Sequence, residues 1–393
     1  MDIKERAYIL YRHIKAGIYS KIYYIFLLFP LRKNRIVFVN YQGKQGYGDH
    51  LKSIAEKIIS RYGINGKYEL IWLVNDTNKV FPYYIKVIKN NVFTRAFFLS
   101  TSGIWIDNYR KPLEVRKLRK QLYVNTWHGM IGFKKVGALR GKEISRIAVD
   151  VSMHDSSLVD IFLSNSKWVE STIREGFYYN GKILRSGSPR CDIFFDDAIR
   201  STNNVEWLDN QYQYVLYVPT ARTYNQNTNT KVEARNMALA PKKVCEKLQQ
   251  KFGGQWKMLY RNHPSVKETY KFENEYVIDI SHKDDLYEIM MKCSALISDY
   301  SSCVFDMAIL KRPIFLFADD WDEYEQRRGL LWNIEELPFS AAYNESELLT
   351  HIENYNQEEY EKKLNKLFEE VDLLEDGKAC ERVIDVIDDW FAN

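Results

Sequence analysis

The stretch 294–314, SALISDYSSCVFDMAILKRPI, sets an apolar run against a short polar turn that opens directly into a second apolar run. Ala295 to Ile297 read as a buried strand, Ser298 to Ser302 as the turn, and Cys303 to Leu310 as a helix. That layout predicts a phosphate cradle. The first N–H groups of a helix have no partner within it and carry a partial positive charge, so an anion in the turn is stabilised without a metal. Ser301 and Ser302 add hydroxyl donors, whereas Asp299 and Asp306 suit an anionic ligand less and more naturally brace the turn. Ordinary helix capping by Ser and Asp explains the same residues, so the reading depends on the rest of the chain.

Outward from this stretch, strand-like and helix-like segments alternate. Arg35 to Asn40 predicts a strand, and Leu51, Ile54, Ala55, Ile58 and Ile59 follow at helical spacing. Leu70 to Val74, Gly103 to Asp107 and Gln121 to Asn125 continue as strands. The second half repeats the theme at Tyr214 to Val218, Lys257 to Arg261, Val277 to Ile280, Ala295 to Ser298 and Ile314 to Phe317. Such alternation implies parallel sheets covered by helices on both faces, an α/β class with two doubly wound, Rossmann-like domains. Residues 196–212 lose periodicity and turn polar, which places the boundary near 205. Near the end, Tyr360, Leu364, Leu367, Phe368 and Val371 form one helical stripe, and Val383, Val386, Ile387, Trp390 and Phe391 another.

A length of 393 residues accommodates two such domains, and a hydrophobic fraction of 46% argues against disorder. The five cysteines, at 191, 245, 293, 303 and 380, form no CxxC pair and follow no signal peptide, which fits a reducing cytosolic setting. Net charge is +4, unevenly spread: through Arg35 eight Lys and Arg face Asp2 and Glu5, +6, which leaves −2 for the remainder. A body without a basic stripe speaks against nucleic acid. The basic leader interleaves its cations with Tyr and Ile, and its apolar run from Ile22 to Leu31 is too short to span a bilayer. Either it lies in the membrane surface as an amphipathic helix, or it packs on its own domain as a first helix.

Several loops carry groups suited to chemistry. In NTWHGMIGFKKVG, 125–137, His128 falls just past a predicted strand and is followed by Gly129, Gly132 and the pair Lys134 and Lys135. Ligands of an open parallel sheet collect outside the carboxyl ends of its strands, and an imidazole there can take a proton at neutral pH. The strand KMLYR, 257–261, ends likewise in Asn262, His263 and Pro264. VPTAR, 218–222, offers Thr220 and Arg222, and GSPRCD, 187–192, offers Arg190, which together make a cationic and hydroxyl set suited to phosphate. The glycines of YQGKQGYGD, 41–49, depart from both nucleotide fingerprints and read as a sharp turn. The acidic run Asp319, Asp320 and Asp322 reads as a loop rather than a metal site, and Arg328 beyond it is a candidate nucleotide contact.

The ordered series WHG, GSPRCD, PTAR, RNHP, SDYSSCVFD, DEYEQRRG and DGKACERV resembles the CDP-glycerol glycerophosphotransferase family, makers of teichoic acids and related polyol-phosphate polymers, from about residue 35 to residue 387. The resemblance implies a glycosyltransferase-B fold whose two domains face each other across a cleft, with peripheral attachment to the cytoplasmic face of the bacterial membrane. It implies a leader at 1–33, an acceptor domain at 34–204 and a CDP-donor domain at 205–393 whose last helices pack back on the first domain. It also implies the chemistry, in which an acceptor hydroxyl attacks the phosphorus that carries glycerol in CDP-glycerol and CMP leaves. His128 then matches the family's candidate general base, and His263 the histidine that binds or protonates the diphosphate. Thr220, Arg222, Ser301 and Ser302 match positions that hold the nucleotide diphosphate, and Gly129, Arg190, Arg261, Asp299 and Arg328 complete the expected substrate contacts. No metal or other cofactor is expected, and the acceptor is a lipid-linked saccharide or polyol phosphate.

The chain departs from the family's commoner pattern after WHG, at Met130 to Phe133, and at Ala221. Those positions would meet acceptor and donor polyol, so CDP-ribitol or another CDP-linked donor used in a capsule stays open beside CDP-glycerol. A nucleotide-sugar glycosyltransferase or UDP-sugar epimerase on the same fold, and a binding protein without turnover, are the alternatives.

Overall fold

The computed structural model describes residues 3–202, 205–222, 237–263, 266 and 274–391. Pro264 of the HP pair and residues 203–204, beside the expected domain boundary, lie outside the described residues. A first sheet contains β1 (Arg32–Val39), β2 (Glu69–Val74), β3 (Lys86–Lys89), β4 (Ser102–Asp107), β5 (Leu122–Asn125), β6 (Ile161–Ser164) and β7 (Lys182–Arg185). A second contains β8 (Tyr212–Val218), β9 (Gln255–Tyr260), β10 (Val277–Asp279), β11 (Ala295–Ser298), β12 (Ile314–Phe317) and β13 (Ser340–Ala342).

All neighbours pair in parallel, in the order β3-β2-β1-β4-β5-β6-β7 and β10-β9-β8-β11-β12-β13. Each sheet therefore grows to one side of its first strand and then reverses. The reversal falls between β1 and β4 in one and between β8 and β11 in the other, where diverging loops leave a crevice beyond the strand ends. The central strands are near-continuous apolar runs because helices cover both faces. Val37, Phe38, Trp72 and Trp105 in the first sheet, and Leu216, Leu259, Leu296 and Phe315 in the second, are fully buried. Two sheets of this order in one chain give the glycosyltransferase-B-like class.

Residues up to 130, 136–192 and from 374 onward form one compact unit, and 131–135 with 193–373 form the other. The first unit thus includes the final helix Ala379–Trp390, which ion pairs hold through Lys57–Glu381 at 2.8 Å and Arg61–Asp385 at 2.6 Å. Its start is capped from outside the helix. The Asp192 carboxylate accepts from the backbone N–H groups of Ala379 at 3.0 Å and Cys380 at 2.7 Å, so the aspartate of GSPRCD is a helix cap. Removing a cap costs about 1–2 kcal/mol, and Asp192→Ala is expected to lower unfolding free energy by that amount in urea denaturation.

The leader is a helix, Ile3–Phe26, whose buried residues are Ala16, Ser20 and Tyr23. Its last turn sets Phe26 edge-on against Phe97 at 5.4 Å. Ile3, Leu10, Tyr11, Ile14 and Ile18 are exposed along its length. Among the described residues no helix is long and apolar enough to cross a membrane.

Candidate active site

In the first unit the loops after β1, β4, β5 and β7 converge. His128 follows β5 by three residues, and the backbone that aims it is strained: Trp127 adopts φ 53°, held because the Asn125 side chain accepts its N–H at 2.8 Å. Four of the seven non-glycine residues with positive φ among the described residues, Tyr41, Gln42, Asp49 and Trp127, stand in these loops. Such conformations cost about 1–3 kcal/mol each and persist where surroundings enforce them, often at sites of function.

The His128 ring lies nearly parallel to Tyr109, with centroids 5.4 Å apart, and contacts Trp127 at 4.1 Å. Its Nδ1 is 2.9 Å from the Asn108 carbonyl oxygen. A carbonyl only accepts, so Nδ1 carries the proton and Nε2 is left as the basic nitrogen. Burial pushes the imidazole pKa down to about 4, against the opposing pull of the Asn108 carbonyl and Asp49. The ring is therefore neutral at neutral pH and able to accept a proton.

A polar frame stands behind the ring. Asp49 accepts from Arg190 Nη1 at 2.8 Å, Asn108 Nδ2 at 2.7 Å and the His50 N–H at 2.9 Å. Although burial opposes its charge, Arg190 and His50 hold the Asp49 carboxyl down at about 2. Arg190 Nη1 also donates to the His128 carbonyl at 3.1 Å. Arg190, named as a phosphate contact by the sequence, places its Nη1 on the backbone of the histidine.

In the second unit the turn 299–302 sits beyond β11 at the point of reversal, beside the loop after β8. Asp299 accepts from the Thr220 N–H at 2.8 Å, the Tyr300 N–H at 2.6 Å and Arg222 Nη1 at 2.9 Å. Arg222 completes a fork with Asp320, Nε at 2.6 Å and Nη2 at 2.8 Å, and lies over the stacked rings of Tyr324 and Tyr300. Burial works against the guanidinium charge, and Asp299 and Asp320 outweigh it, so its pKa is raised. Arg222 and Asp299, both named among the substrate contacts, thus brace the turn, the role the sequence gives Asp299. Asp306 likewise accepts from the Tyr287 hydroxyl at 2.8 Å.

The cradle of main-chain amides is smaller than expected. The helix runs only from Cys303 to Ala308, and its N–H groups at Val304 and Phe305 already bond the Ser301 and Ser302 carbonyls at 3.2 and 3.1 Å. Ser302 makes no side-chain capping bond, and both serines are half-buried. Side chains take up the donor role. Thr220 Oγ1 and Arg328 Nη1 are buried polar atoms without a hydrogen-bond partner among the described residues. Buried polar groups are nearly always paired, so the hydroxyl and the guanidinium nitrogen beside this turn are donors available to an anionic ligand.

The remaining expected residues are placed as follows. Arg261, after β9, donates through Nη2 to the Lys283 and Asp284 carbonyls at 3.2 and 3.4 Å, and burial lowers its pKa. His263 is half-buried just beyond, its N–H on Asn262 Oδ1 at 2.9 Å. Gly129 is half-buried next to His128. Among the described residues no three of His, Cys, Asp and Glu converge as a metal-binding group. Asp49 and Asn108 are the functional residues that sequence reasoning missed. The strand-glycine-helix signal at 41–49 pointed to their neighbourhood, where Gly43 has φ 79° and packs its Cα against Asn90, but it read as a turn alone.

The profile of the CDP-Glycerol:Poly(glycerophosphate) glycerophosphotransferase family matches residues 21–389. A teichoic acid poly(glycerol phosphate) polymerase of Staphylococcus epidermidis is 27% identical over 382 residues, 91% of this chain and 51% of that protein, so the chain spans about half of that relative's length. A protein of the same description from Bacillus spizizenii is 25% identical, with 98% of this chain and 99% of the relative aligned. Among solved structures, the wall teichoic acid polymerase TagF, as a histidine-to-asparagine variant with CDPG, superposes with a TM-score of 0.76 at 25% identity, covering 99% of this chain and 98% of that one.

Proposed function

The chain belongs to the CDP-glycerol:poly(glycerophosphate) glycerophosphotransferase family, and we propose that it moves glycerol phosphate or ribitol phosphate from a CDP-linked donor to a hydroxyl of a membrane-linked acceptor, releasing CMP, in the synthesis of teichoic acid or a similar polymer. The observation that carries this reading is the fixed tautomer of His128, whose Nδ1–H is spent on the Asn108 carbonyl so that Nε2 faces the reaction as a base. The acceptor O–H gives its proton to Nε2 while its oxygen forms a bond to the phosphorus bearing the polyol. The bond from that phosphorus to the bridging oxygen breaks, and the negative charge leaves on CMP. Such transfers depend mostly on alignment and charge neutralisation. Thr220 Oγ1 and Arg328 Nη1, the orphaned donors beside the 299–302 turn, support a diphosphate there, with His263 at the neighbouring strand end as the group that holds or protonates the departing phosphate.

In this reading the first unit presents the acceptor, the second holds the donor, and the charge on the diphosphate is met by these side chains without a metal. The leader helix, with Tyr8, Tyr11, Ile14, Ile18, Lys4, Arg6 and Lys15 exposed, suits attachment to the surface of a membrane carrying the acceptor. The test offers the purified chain CDP-glycerol, CDP-ribitol and UDP-sugars with a lipid-linked acceptor and identifies the nucleotide set free. CMP from a CDP-polyol is the expected product, and UMP or UDP as the only product would overturn the proposal.

A further inference from the structure

The pair Lys134 and Lys135 has no part in the chemistry derived so far, yet the structure gives the first of them a defined place. Residues 131–135 belong to the second unit although the chain on both sides of them belongs to the first. Lys134 bridges Leu330 in antiparallel fashion, the Leu331 N–H donates to the Phe133 carbonyl at 2.7 Å and the Trp332 indole to the Gly132 carbonyl at 3.2 Å. Phe133 is buried against Phe305 of the Cys303–Ala308 helix, with centroids 5.0 Å apart. A Cβ on Gly132 would sit 3.6 Å from Ser302 Cβ, so this strap lies directly on the serine turn.

Side chains alternate along an extended strap, and Lys134 and Lys135 accordingly differ. The Lys135 stem lies along Gly329, with its Cδ 3.0 Å from the Cβ position there. Lys134 is half-buried, in the field of Asp299, Arg328, Arg222 and Cys303. Asp299 is engaged by Arg222, and among the described residues neither Lys134 nor Arg328 has a carboxylate partner of its own. Two cations without counter-ions, next to the orphaned Thr220 hydroxyl, leave an excess of positive charge at one turn. Burying an ammonium without a partner is unfavourable, and here the cost shows as a pKa brought down to about 8 by burial. An anion in the turn would remove that cost.

We propose that Lys134 is a substrate-binding residue of the second unit that shares the donor's diphosphate with Arg328 and Thr220. The inference rests on the donor reading above and adds a residue that reading did not use.

The experiment is calorimetric titration of the full chain with CDP, UDP and inorganic pyrophosphate, comparing wild type with Lys134→Met, Lys134→Arg and, as a control, Lys135→Met. A charge-assisted contact contributes enough for Lys134→Met to raise the dissociation constants for CDP and pyrophosphate about 10- to 100-fold, with Lys134→Arg restoring much of the affinity and Lys135→Met leaving it unchanged. Dissociation constants within twofold of wild type for a folded Lys134→Met would overturn the inference alone. Should that variant not fold, the wild-type pH profile decides. With Asp299, Arg222, Arg328 and Cys303 around the ammonium, affinity falls as pH rises through about 8. Lys134→Arg abolishes that fall, and a flat wild-type profile would overturn the inference. Wild type that binds pyrophosphate and UDP but not CDP defeats the cytidine donor and leaves Lys134 to be judged on the other two probes, while wild type that binds none of the three defeats both.

Discussion

His128→Ala is expected to lower kcat for CMP release by about 10²- to 10⁴-fold, the range a positioned general base contributes, while the protein stays folded and still binds CDP. The size of the loss follows from geometry. The Asn108 carbonyl holds Nδ1–H, and Arg190 Nη1 holds the histidine's own carbonyl, so Nε2 is presented in one tautomer and one direction. The pH profile separates this role from a structural one. A base works in its neutral form, and burial has moved the His128 pKa from the usual 6.5 down to about 4. The acid limb of kcat/KM should therefore fall near pH 4, leaving activity largely undiminished at pH 6. An acid limb centred at 6.5 would mean that the ring meeting substrate is not the buried one seen here. Asn108 acts only through its backbone carbonyl on the ring, but its side chain joins Asp49, Asn40 and the Tyr41 N–H. Asn108→Ala should therefore loosen the loop and lower kcat while sparing donor affinity.

Arg222→Met should cost about 3–5 kcal/mol of stability, the usual penalty for removing one partner of a buried ion pair. Both carboxylates of the brace are affected, since Asp299 is 1% exposed and Asp320 takes two of the guanidinium bonds. The Thr220 N–H and Tyr300 N–H still bind Asp299, but its charge loses its cation. Donor binding should fall as well, because the turn that the brace holds is the one flanked by the orphaned Thr220 hydroxyl and Arg328. Chemical denaturation of Arg222→Met beside Arg222→Met/Asp299→Asn checks the argument: neutralising the stranded carboxyl should recover part of the loss.

Most of the fold was legible in the sequence because the inner strands of a doubly wound sheet are buried on both faces and must be apolar throughout. IVFV, LIWLV, YVLYV and ALIS could hardly read otherwise, and β1, β2, β4 and β5 with β8 to β12 stand where their runs predict. The strands that sequence reading passed over were β3 (KVIK), β7 (KILR), β6 (IFLS) and β13 (SAA). β3, β7 and β13 close the ends of their sheets and have only one neighbouring strand, so their sequences carry less apolar signal. β6 is an interior strand as short and apolar as β11 and β12, and nothing in its sequence explains why it was passed over.

The site was legible as a list of charged and hydroxyl residues but not as a division of labour among them. Arg190 and Arg222 look in sequence like phosphate ligands and Arg261 like a substrate contact, and the fold engages each of them with carbonyls or carboxylates contributed from distant positions. A sequence shows which groups bear charge, but whether a group is already paired depends on the fold. Asp49 and Asn108 were invisible for the same reason, since Asp and Asn in loops are ordinary turn formers. Thr220 and Arg328 were candidates in the sequence too, and folding adds that one atom of each is buried and unbonded.

The central claim is that the phosphorus bearing the polyol moves with it to the acceptor and that cytidine leaves with one phosphate. CDP-glycerol labelled with ³²P at the phosphorus next to glycerol tests this directly, with a lipid-linked acceptor and separation of lipid from nucleotide products. The account predicts label in the lipid-linked product, matched mole for mole by unlabelled CMP. Label recovered in CDP, with none on the acceptor, would contradict it.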